Sequence, residues 1–175
     1  SDVCSSDLKT KKYIIIPLII SLFGEVYFYP FESQFKFSVG IIILNLCILM
    51  MDDMSELMLS FLCGLGVFII RIFLGVLMFH NGIIFAIVSN FPSLMYYLIY
   101  GVLVKITKVK IYKEQIVNTI LLFTLIDSLS NLFESVMRND INSNIIRVII
   151  LAGIIRSSIT YLAYVTYNKQ KLFIL

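Results

Sequence analysis

Six stretches of mostly apolar residues, separated by short polar links, constrain this chain more than any other feature. A helix that crosses a bilayer needs about 20 mostly apolar residues. The predicted spans are 13–31, 35–51, 54–79, 83–106, 116–138 and 145–167. The hydrophobic pattern does not alternate as it does in barrel strands, and a segment in lipid must satisfy its backbone polar groups internally. The sequence therefore predicts an all-α integral membrane protein, folded as a six-transmembrane-helix bundle.

Composition supports this fold class and excludes two others. The 175 residues are 59% hydrophobic and 14% charged, with a mean hydropathy of +0.96, whereas a soluble domain has about 25% charged residues. A soluble protein of this size could not hide so much apolar surface from water. Disordered segments are poor in apolar residues, so disorder is excluded as well. Tryptophan is absent, and we expect some of the 10 Tyr and 14 Phe to act as interfacial aromatics.

The basic residues predict the orientation of the bundle. If the N-terminus is inside, the segments predicted to be cytoplasmic hold Lys9, Lys11, Lys12, Lys105, Lys108, Lys110, Lys113, Lys169 and Lys171. The segments predicted to be outside hold Lys36 and Arg138. The positive-inside rule therefore predicts that both termini are cytoplasmic. We interpret the lysines between 105 and 113 as an anchor near anionic lipid, with no nucleic acid as partner.

The two ends of the chain differ from the part between them. Residues 1–8 resemble the translated end of a short-read sequencing adapter. We therefore expect them to be an artefact and exclude them from reasoning about the fold. Residues 9–167 are predicted to form one membrane domain. Residues 168–175 are polar and then apolar again, and we expect them to begin a cytoplasmic continuation.

Ionisable residues within the predicted spans are the main candidates for function. There are six of them: Glu25, Arg71, Asp127, Glu134, Arg147 and Arg156. Each costs roughly 2.5–3.5 kcal/mol on insertion scales, so such residues usually face the bundle interior and pair. The depth of each residue in the membrane follows from a rise of about 1.5 Å per residue along its span. Residues of opposite charge at similar depth form three predicted pairs: Asp127 with Arg156, Glu134 with Arg147, and Glu25 with Arg71. The two arginines of span 6 lie about 180° apart on an ideal helix, and we expect Arg156 to be the inward one.

Span 5 has a polar stripe at helical spacing. Its members are Thr124, Asp127, Ser128, Asn131, Glu134, Ser135 and Arg138. Span 4 adds Ser89, Asn90 and Ser93 around Pro92, and span 2 adds Asn45. A proline within a span frees a backbone carbonyl and usually kinks the helix. Two interpretations stay open: a polar pocket lined by spans 1, 4, 5 and 6, or hydrogen bonds that hold helices together. The candidate ligand-binding or polar-core residues are Glu25, Arg71, Asn90, Asp127, Asn131, Glu134 and Arg156.

The sequence contains no familiar catalytic or metal-binding motif. It has no GxSxG, no HExxH and no glycine-rich phosphate loop. Cys47 and Cys63 lie inside apolar stretches and are interpreted as free thiols packed as small apolar groups. We therefore assign no catalytic residue, no metal ligand and no cofactor within these residues.

Two segments carry a resemblance to a known family. Residues 24–31 read Gly-Glu-Val-Tyr-Phe-Tyr-Pro-Phe, and residues 35–40 read Phe-Lys-Phe-Ser-Val-Gly. They resemble the opening of the multi-pass membrane region of some Firmicutes sensor histidine kinases, including the glutamine-responsive kind. The six-span layout, Arg71 in span 3 and Asp127 in span 5 are similar to that region as well. The resemblance covers about residues 13–167.

The resemblance implies a sensory input module in a bacterial cell membrane. Such a module, part of a truncated two-component sensor histidine kinase, would sense a small polar ligand or the state of the membrane. It would signal through span 6. A kinase domain after Leu175 would bring ATP, Mg²⁺ and a homodimer. The alternative, from another class, is the substrate-binding membrane subunit of an energy-coupling-factor transporter, which would use the same polar pocket for capture.

Overall fold

The computed structural model describes residues 2–28, 37–78, 80 and 82–174, with side chains from residue 13 to residue 169 within these ranges, except residues 27 and 28. Its elements are α1 (Asp2–Gly24), β1 (Tyr27–Phe28), β2 (Phe37–Ser38), α2 (Gly40–Met50), α3 (Glu56–Leu77), α4 (Ile83–Thr107), α5 (Ile116–Met137) and α6 (Ser143–Ile174). A short 3₁₀ helix, Val109–Tyr112, lies between α4 and α5. Nearly all the described backbone is therefore helical, in agreement with the predicted class.

In the part of the chain that the structure describes, four helices are long and apolar enough to cross a membrane: α3, α4, α5 and the Ser143–Lys169 part of α6. The ends of α3, α4 and α5 lie inside the boundaries predicted for spans 3, 4 and 5 or within one residue of them. Their outward faces carry large apolar side chains, such as Ile84, Leu121 and Leu162, which are 60–76% exposed. In water this exposure would be costly, but a lipid environment accommodates it. The chain is therefore a membrane protein.

The helices form a closed ring around a packed interior. Going round the ring, α1 packs on α3, α3 on α4, α4 on α5, α5 on α6, α6 on α2, and α2 again on α1. The interior holds an apolar core that includes Leu44, Val67, Tyr100, Phe123 and Ile126. Polar side chains that point into this ring are thereby separated from lipid by the helices themselves.

The first two predicted spans differ from the structure. The apolar part of α1 is Tyr13–Gly24 and α2 is Gly40–Met50. The 11 residues of α2 rise only about 16 Å at 1.5 Å per residue, and the hydrocarbon core is about 30 Å thick. The helix predicted over 13–31 ends at Gly24, and the one predicted over 35–51 begins at Gly40. Residues 29–36 lie outside the described residues.

A close crossing of two glycines and a short hairpin explain why α1 stops early. A Cβ built on Gly40 would lie 2.7 Å from the Cα of Gly24, so only glycine fits there. The Ser38 hydroxyl donates to the Gly24 carbonyl at 3.1 Å, which satisfies one of the carbonyls that a helix end leaves without a partner. The strands β1 and β2 then pair antiparallel, with Phe28 opposite Phe37.

The end of the bundle at which α3 begins and α4 ends carries Lys105, Lys108, Lys110 and Lys113, and we call it the basic face. Lys110 connects the link between α2 and α3 with the link between α4 and α5. Its Nζ lies 3.0 Å from Glu56 Oε1 and donates to the Met51 carbonyl at 2.7 Å. The basic face thus fixes the start of α3 against the segment that follows α4.

Candidate functional site: two polar clusters joined by α5

The first cluster lies toward the face opposite the lysines, and we call it the Ser93 cluster. It consists of Glu25, Arg71, Ser93, Glu134 and Arg138. The guanidinium of Arg71 donates through Nε to Glu25 Oε1 at 2.8 Å, and Arg138 Nη2 lies 2.9 Å from Glu134 Oε1. Two carboxylates therefore face two guanidiniums, and the formal charges of the cluster cancel.

Ser93 joins these two ion pairs. Its hydroxyl oxygen accepts from Arg71 Nη1 at 2.6 Å and from Arg138 Nη2 at 3.0 Å. Its proton is donated to Glu134 Oε1 at 3.0 Å. A hydroxyl has one donor and two lone pairs, so Ser93 uses its full capacity. The result is one connected network that holds the chain after α1 together with α3, α4 and α5.

The backbone of α4 is unusual beside this network. Pro92 lies inside the helix and cannot donate a backbone hydrogen bond. Arg138 Nη1 reaches across from α5 to the Ser89 carbonyl at 3.2 Å, so the cluster also holds the backbone of the weakened turn. Asn90, a predicted site residue, donates to the Ala86 carbonyl of its own helix at 2.9 Å. No described contact brings Asn90 into the cluster.

The charged side chains of the Ser93 cluster are partly open to solvent. Glu25 and Arg71 are 19% and 22% exposed, and Glu134 and Arg138 are 21% and 38% exposed. A water molecule, an ion or a small polar ligand can therefore compete for these pairs. The cluster is neutral and its charged groups are already paired, so such a competitor must replace contacts that already exist.

We call the second cluster the Asp127 cluster: Tyr96, Asp127 and Arg156, which are buried, and Asn131, which is partly buried. Arg156 Nη1 lies 2.9 Å from Asp127 Oδ1, and the two side chains are only 3% and 1% exposed. The Tyr96 hydroxyl donates to the same oxygen at 2.6 Å, and Asn131 Nδ2 donates to it at 2.8 Å. The guanidinium carbon of Arg156 also lies 5.1 Å from the ring centroid of Phe37 in β2. This cluster holds α4, α5, α6 and the hairpin together.

All of these bonds fall on one oxygen of Asp127. The other oxygen, Oδ2, is buried and has no hydrogen-bond partner among the described residues. A carboxylate can accept about four hydrogen bonds, and an unsatisfied buried polar atom costs free energy. The Asp127 cluster therefore keeps an unused acceptor in the interior of the ring.

The two clusters share helix α5. Glu134 follows Asp127 by seven residues, which is close to two helical turns, so both carboxylates lie on the same side of the helix. The predicted polar stripe of span 5 is thus the element that connects the partly exposed cluster to the buried one. A displacement of α5 moves Glu134, which accepts from Ser93, together with Asp127, the partner of Arg156.

Two of the three predicted ion pairs are confirmed and one is wrong. Asp127 pairs with Arg156, and Glu25 pairs with Arg71. Glu134 pairs with Arg138 of its own helix and has no described contact with Arg147, which is exposed on α6. The physical reason is proximity: residues four apart on a helix are neighbours. Arg147 lies on the side of α6 opposite to Arg156.

Three members of the clusters were not among the predicted site residues, although Ser93 and Arg138 belong to the polar positions noted in spans 4 and 5. Ser93 carries no charge, and its position next to Pro92 was the available signal. Arg138 stands four residues after Glu134, which is the spacing of an intrahelical ion pair. Tyr96 lies in an apolar part of span 4 and gave no separate signal; it is buried, and its hydroxyl donates to Asp127.

Among the described residues, no group of three or more His, Cys, Asp or Glu side chains could hold a metal ion. Cys47 and Cys63 are free thiols. Comparisons with models of protein families, with curated proteins and with solved structures found no match for this chain. The argument for function therefore rests on the two clusters and on the helices that carry them.

Proposed function

We propose that this chain is the membrane-embedded sensory input module of a bacterial sensor histidine kinase, with α6 as its output. The observation that carries the proposal is the linkage through α5. One carboxylate of α5 belongs to the partly exposed Ser93 cluster, and the other binds the buried arginine of α6. A small polar ligand, or a change in the membrane, that alters the pairing of Glu134 would shift α5 and with it α6.

Helix α6 suits the role of an output element. It runs without interruption for 32 residues, which is about 48 Å at 1.5 Å per residue. The hydrocarbon core is about 30 Å thick, so the helix is long enough to project beyond it. A continuous helix moves as one body, and a displacement at Arg156 would reach the part of α6 outside the membrane.

The proposed topology is a bundle with six passages, in the cell membrane of a Firmicutes-type bacterium. In this proposal α1 and α2 belong to the first two passages, and α3 to α6 make the other four. Both termini then lie on the basic face, which the positive-inside rule assigns to the cytoplasm. In the full protein, a kinase domain that follows α6 would bind ATP and Mg²⁺ and act as a homodimer.

The output through α6 can be tested by measuring a distance at the basic face. Nitroxide labels are introduced at the exposed positions Ile106 on α4 and Thr166 on α6, in a cysteine-free background in phospholipid vesicles. Glu134→Gln removes one of the two anions of the Ser93 cluster, and we expect the distribution of distances between the labels to shift. Arg147→Gln, at an exposed position of α6, is the matched control and should leave it unchanged. If both variants keep the wild-type distribution, α6 is not the output.

The kinase assignment has a separate and simpler test, which is the coding sequence beyond Leu175. We expect it to continue into a phospho-accepting histidine region and ATP-binding motifs. A stop codon directly after Leu175 would contradict the kinase and favour the transport-subunit alternative. The distance experiment does not depend on this result, because it concerns the bundle alone.

A further inference from the structure

An open groove runs along the outside of the bundle between α1 and α3. Its volume is about 490 Å³. Its rims are formed by exposed apolar side chains, which include Ile14, Leu18, Met58 and Ile69. Its floor is formed by small residues, which include Ser21 and Gly66. The rim side chains are 48–64% exposed, so the groove faces the surroundings of the bundle and not the ring interior.

The lining offers no polar group to a ligand. None of the described lining residues is charged. The hydroxyl of Ser21 is used within the protein, because it donates to the Pro17 carbonyl at 2.7 Å and lies 3.0 Å from the Cys63 carbonyl. An occupant that fits this groove is therefore apolar along its whole length.

The position and length of the groove match one leaflet of a bilayer. Along α3 it extends from Met58 to Ile69, which are eleven residues apart, or about 16 Å at 1.5 Å per residue. One leaflet is half of a hydrocarbon core of about 30 Å. The groove starts two residues after the beginning of α3 at Glu56 and ends just past the middle of that helix. It thus runs from the basic face to the centre of the membrane.

We propose that this groove binds one acyl chain of a phospholipid from the leaflet at the basic face. A helix of a second copy, about 10–12 Å across with its side chains, is the alternative occupant, and the crosslinks described below distinguish it from a lipid chain. A single extended hydrocarbon chain is narrow, apolar and one leaflet long. These three properties match the volume, the apolar lining and the length of the groove.

The charge at the basic end of the groove fits a phospholipid headgroup. Tyr13 lies at this end, and its hydroxyl donates to the Asp53 carbonyl at 2.9 Å. In the sequence Tyr13 is preceded by Lys9, Lys11 and Lys12, on the part of α1 that continues beyond the groove. Basic residues next to a membrane attract anionic lipid. The phosphate would therefore lie at the level of these lysines while the chain follows α1 and α3 inward.

Photolabelling in vesicles tests the proposal on the full chain. The vesicles contain phosphatidylcholine and phosphatidylglycerol, with a trace of phosphatidylglycerol that carries a diazirine on its acyl chain. After illumination, modified residues are mapped by mass spectrometry. We expect adducts on Leu62 and Leu65 in the groove to exceed, several-fold, those on Leu121 and Leu125 of α5. These α5 residues are as exposed as the groove rims but line no groove.

Groove-filling variants sharpen the test. The chain contains no tryptophan, so each introduced tryptophan is also a single fluorescent reporter of folding. Leu62→Trp and Leu18→Trp, on opposite walls, should abolish the excess labelling, whereas Leu121→Trp should leave it. Equal labelling of the groove and of α5 in the wild type would overturn the proposal. Excess labelling that persists in both groove variants, or photocrosslinks between two copies at the groove, would overturn it as well.

Discussion

Removal of Arg156 is the most informative perturbation of the bundle. In Arg156→Met the apolar stem is kept, but Asp127 becomes a buried carboxylate whose remaining donors are Tyr96 and Asn131. Breaking a buried ion pair by removing one partner costs about 3–5 kcal/mol, because the other charge is left uncompensated. Arg156 is only 2% exposed, so solvent cannot relieve this cost. We expect a loss of that size in the free energy of unfolding.

The double variant Asp127→Asn/Arg156→Met separates the ion pair from the other contacts. Asparagine still offers an oxygen to Tyr96 and Asn131, and neither charge remains. Replacing both partners of a buried pair is often close to neutral. We therefore expect the double variant to be more stable than Arg156→Met alone, although it carries one more substitution.

The assay is unfolding by SDS in mixed micelles, followed by far-ultraviolet circular dichroism. Arg147→Met is the matched control, since Arg147 is an exposed arginine on the same helix, and it should change the free energy by no more than about 0.5 kcal/mol. The reasoning is refuted if Arg156→Met costs no more than this control. The single variant Asp127→Asn is measured as well. If the losses of Asp127→Asn and Arg156→Met add up in the double variant, the two residues are not coupled, because independent sites are additive and coupled sites are not.

Two further predictions concern the packing of α3 on α4 and the hub of the Ser93 cluster, and both use the same titration. In Gly64→Ala the new Cβ would lie 2.5 Å from Tyr97 Cβ, so overpacking should cost about 1–3 kcal/mol. Gly82→Ala meets nothing within 4 Å and should cost less, about 0.5–1 kcal/mol, because alanine is a poorer N-cap for α4 than glycine. A cost equal to that of Gly64→Ala would contradict the close crossing. Ser93→Ala removes three hydrogen bonds to charged groups and should cost up to about 3 kcal/mol, reduced by solvent screening. The Ser89 hydroxyl donates to a carbonyl of its own helix, so Ser89→Ala should cost clearly less. A cost similar to that of Ser93→Ala would contradict the role of Ser93 in joining the two ion pairs.

The sequence predicted the contacts that depend on depth alone. Antiparallel helices of regular rise bring residues of equal depth to the same level. This was enough to pair Asp127 with Arg156 and Glu25 with Arg71, as the structure confirms. Depth does not determine which side of a helix a residue faces, and the pair of Glu134 with Arg147 was therefore wrong.

The hairpin, the early end of α1 and the role of Ser93 could not be predicted, because the hydropathy pattern contains no signal for them. Phe28 and Phe37 are as apolar as any residue of a span, so the hairpin was interpreted as helix. The early end of α1 depends on the contact between Gly24 and Gly40, which are far apart in the pattern. The role of Ser93 depends on three side chains from two other helices, and a single small hydroxyl has no periodic signal.

The stacking of Phe37 on Arg156 has a consequence for the biogenesis of the protein. Phe37 belongs to the first quarter of the chain and Arg156 to its last helix. When the hairpin leaves the ribosome, the guanidinium that it will contact has not yet been synthesised. The α1–hairpin–α2 unit, made first, can therefore reach its final place only after α6 has been inserted. We expect the earliest part of the chain to be the last to become resistant to protease during membrane insertion.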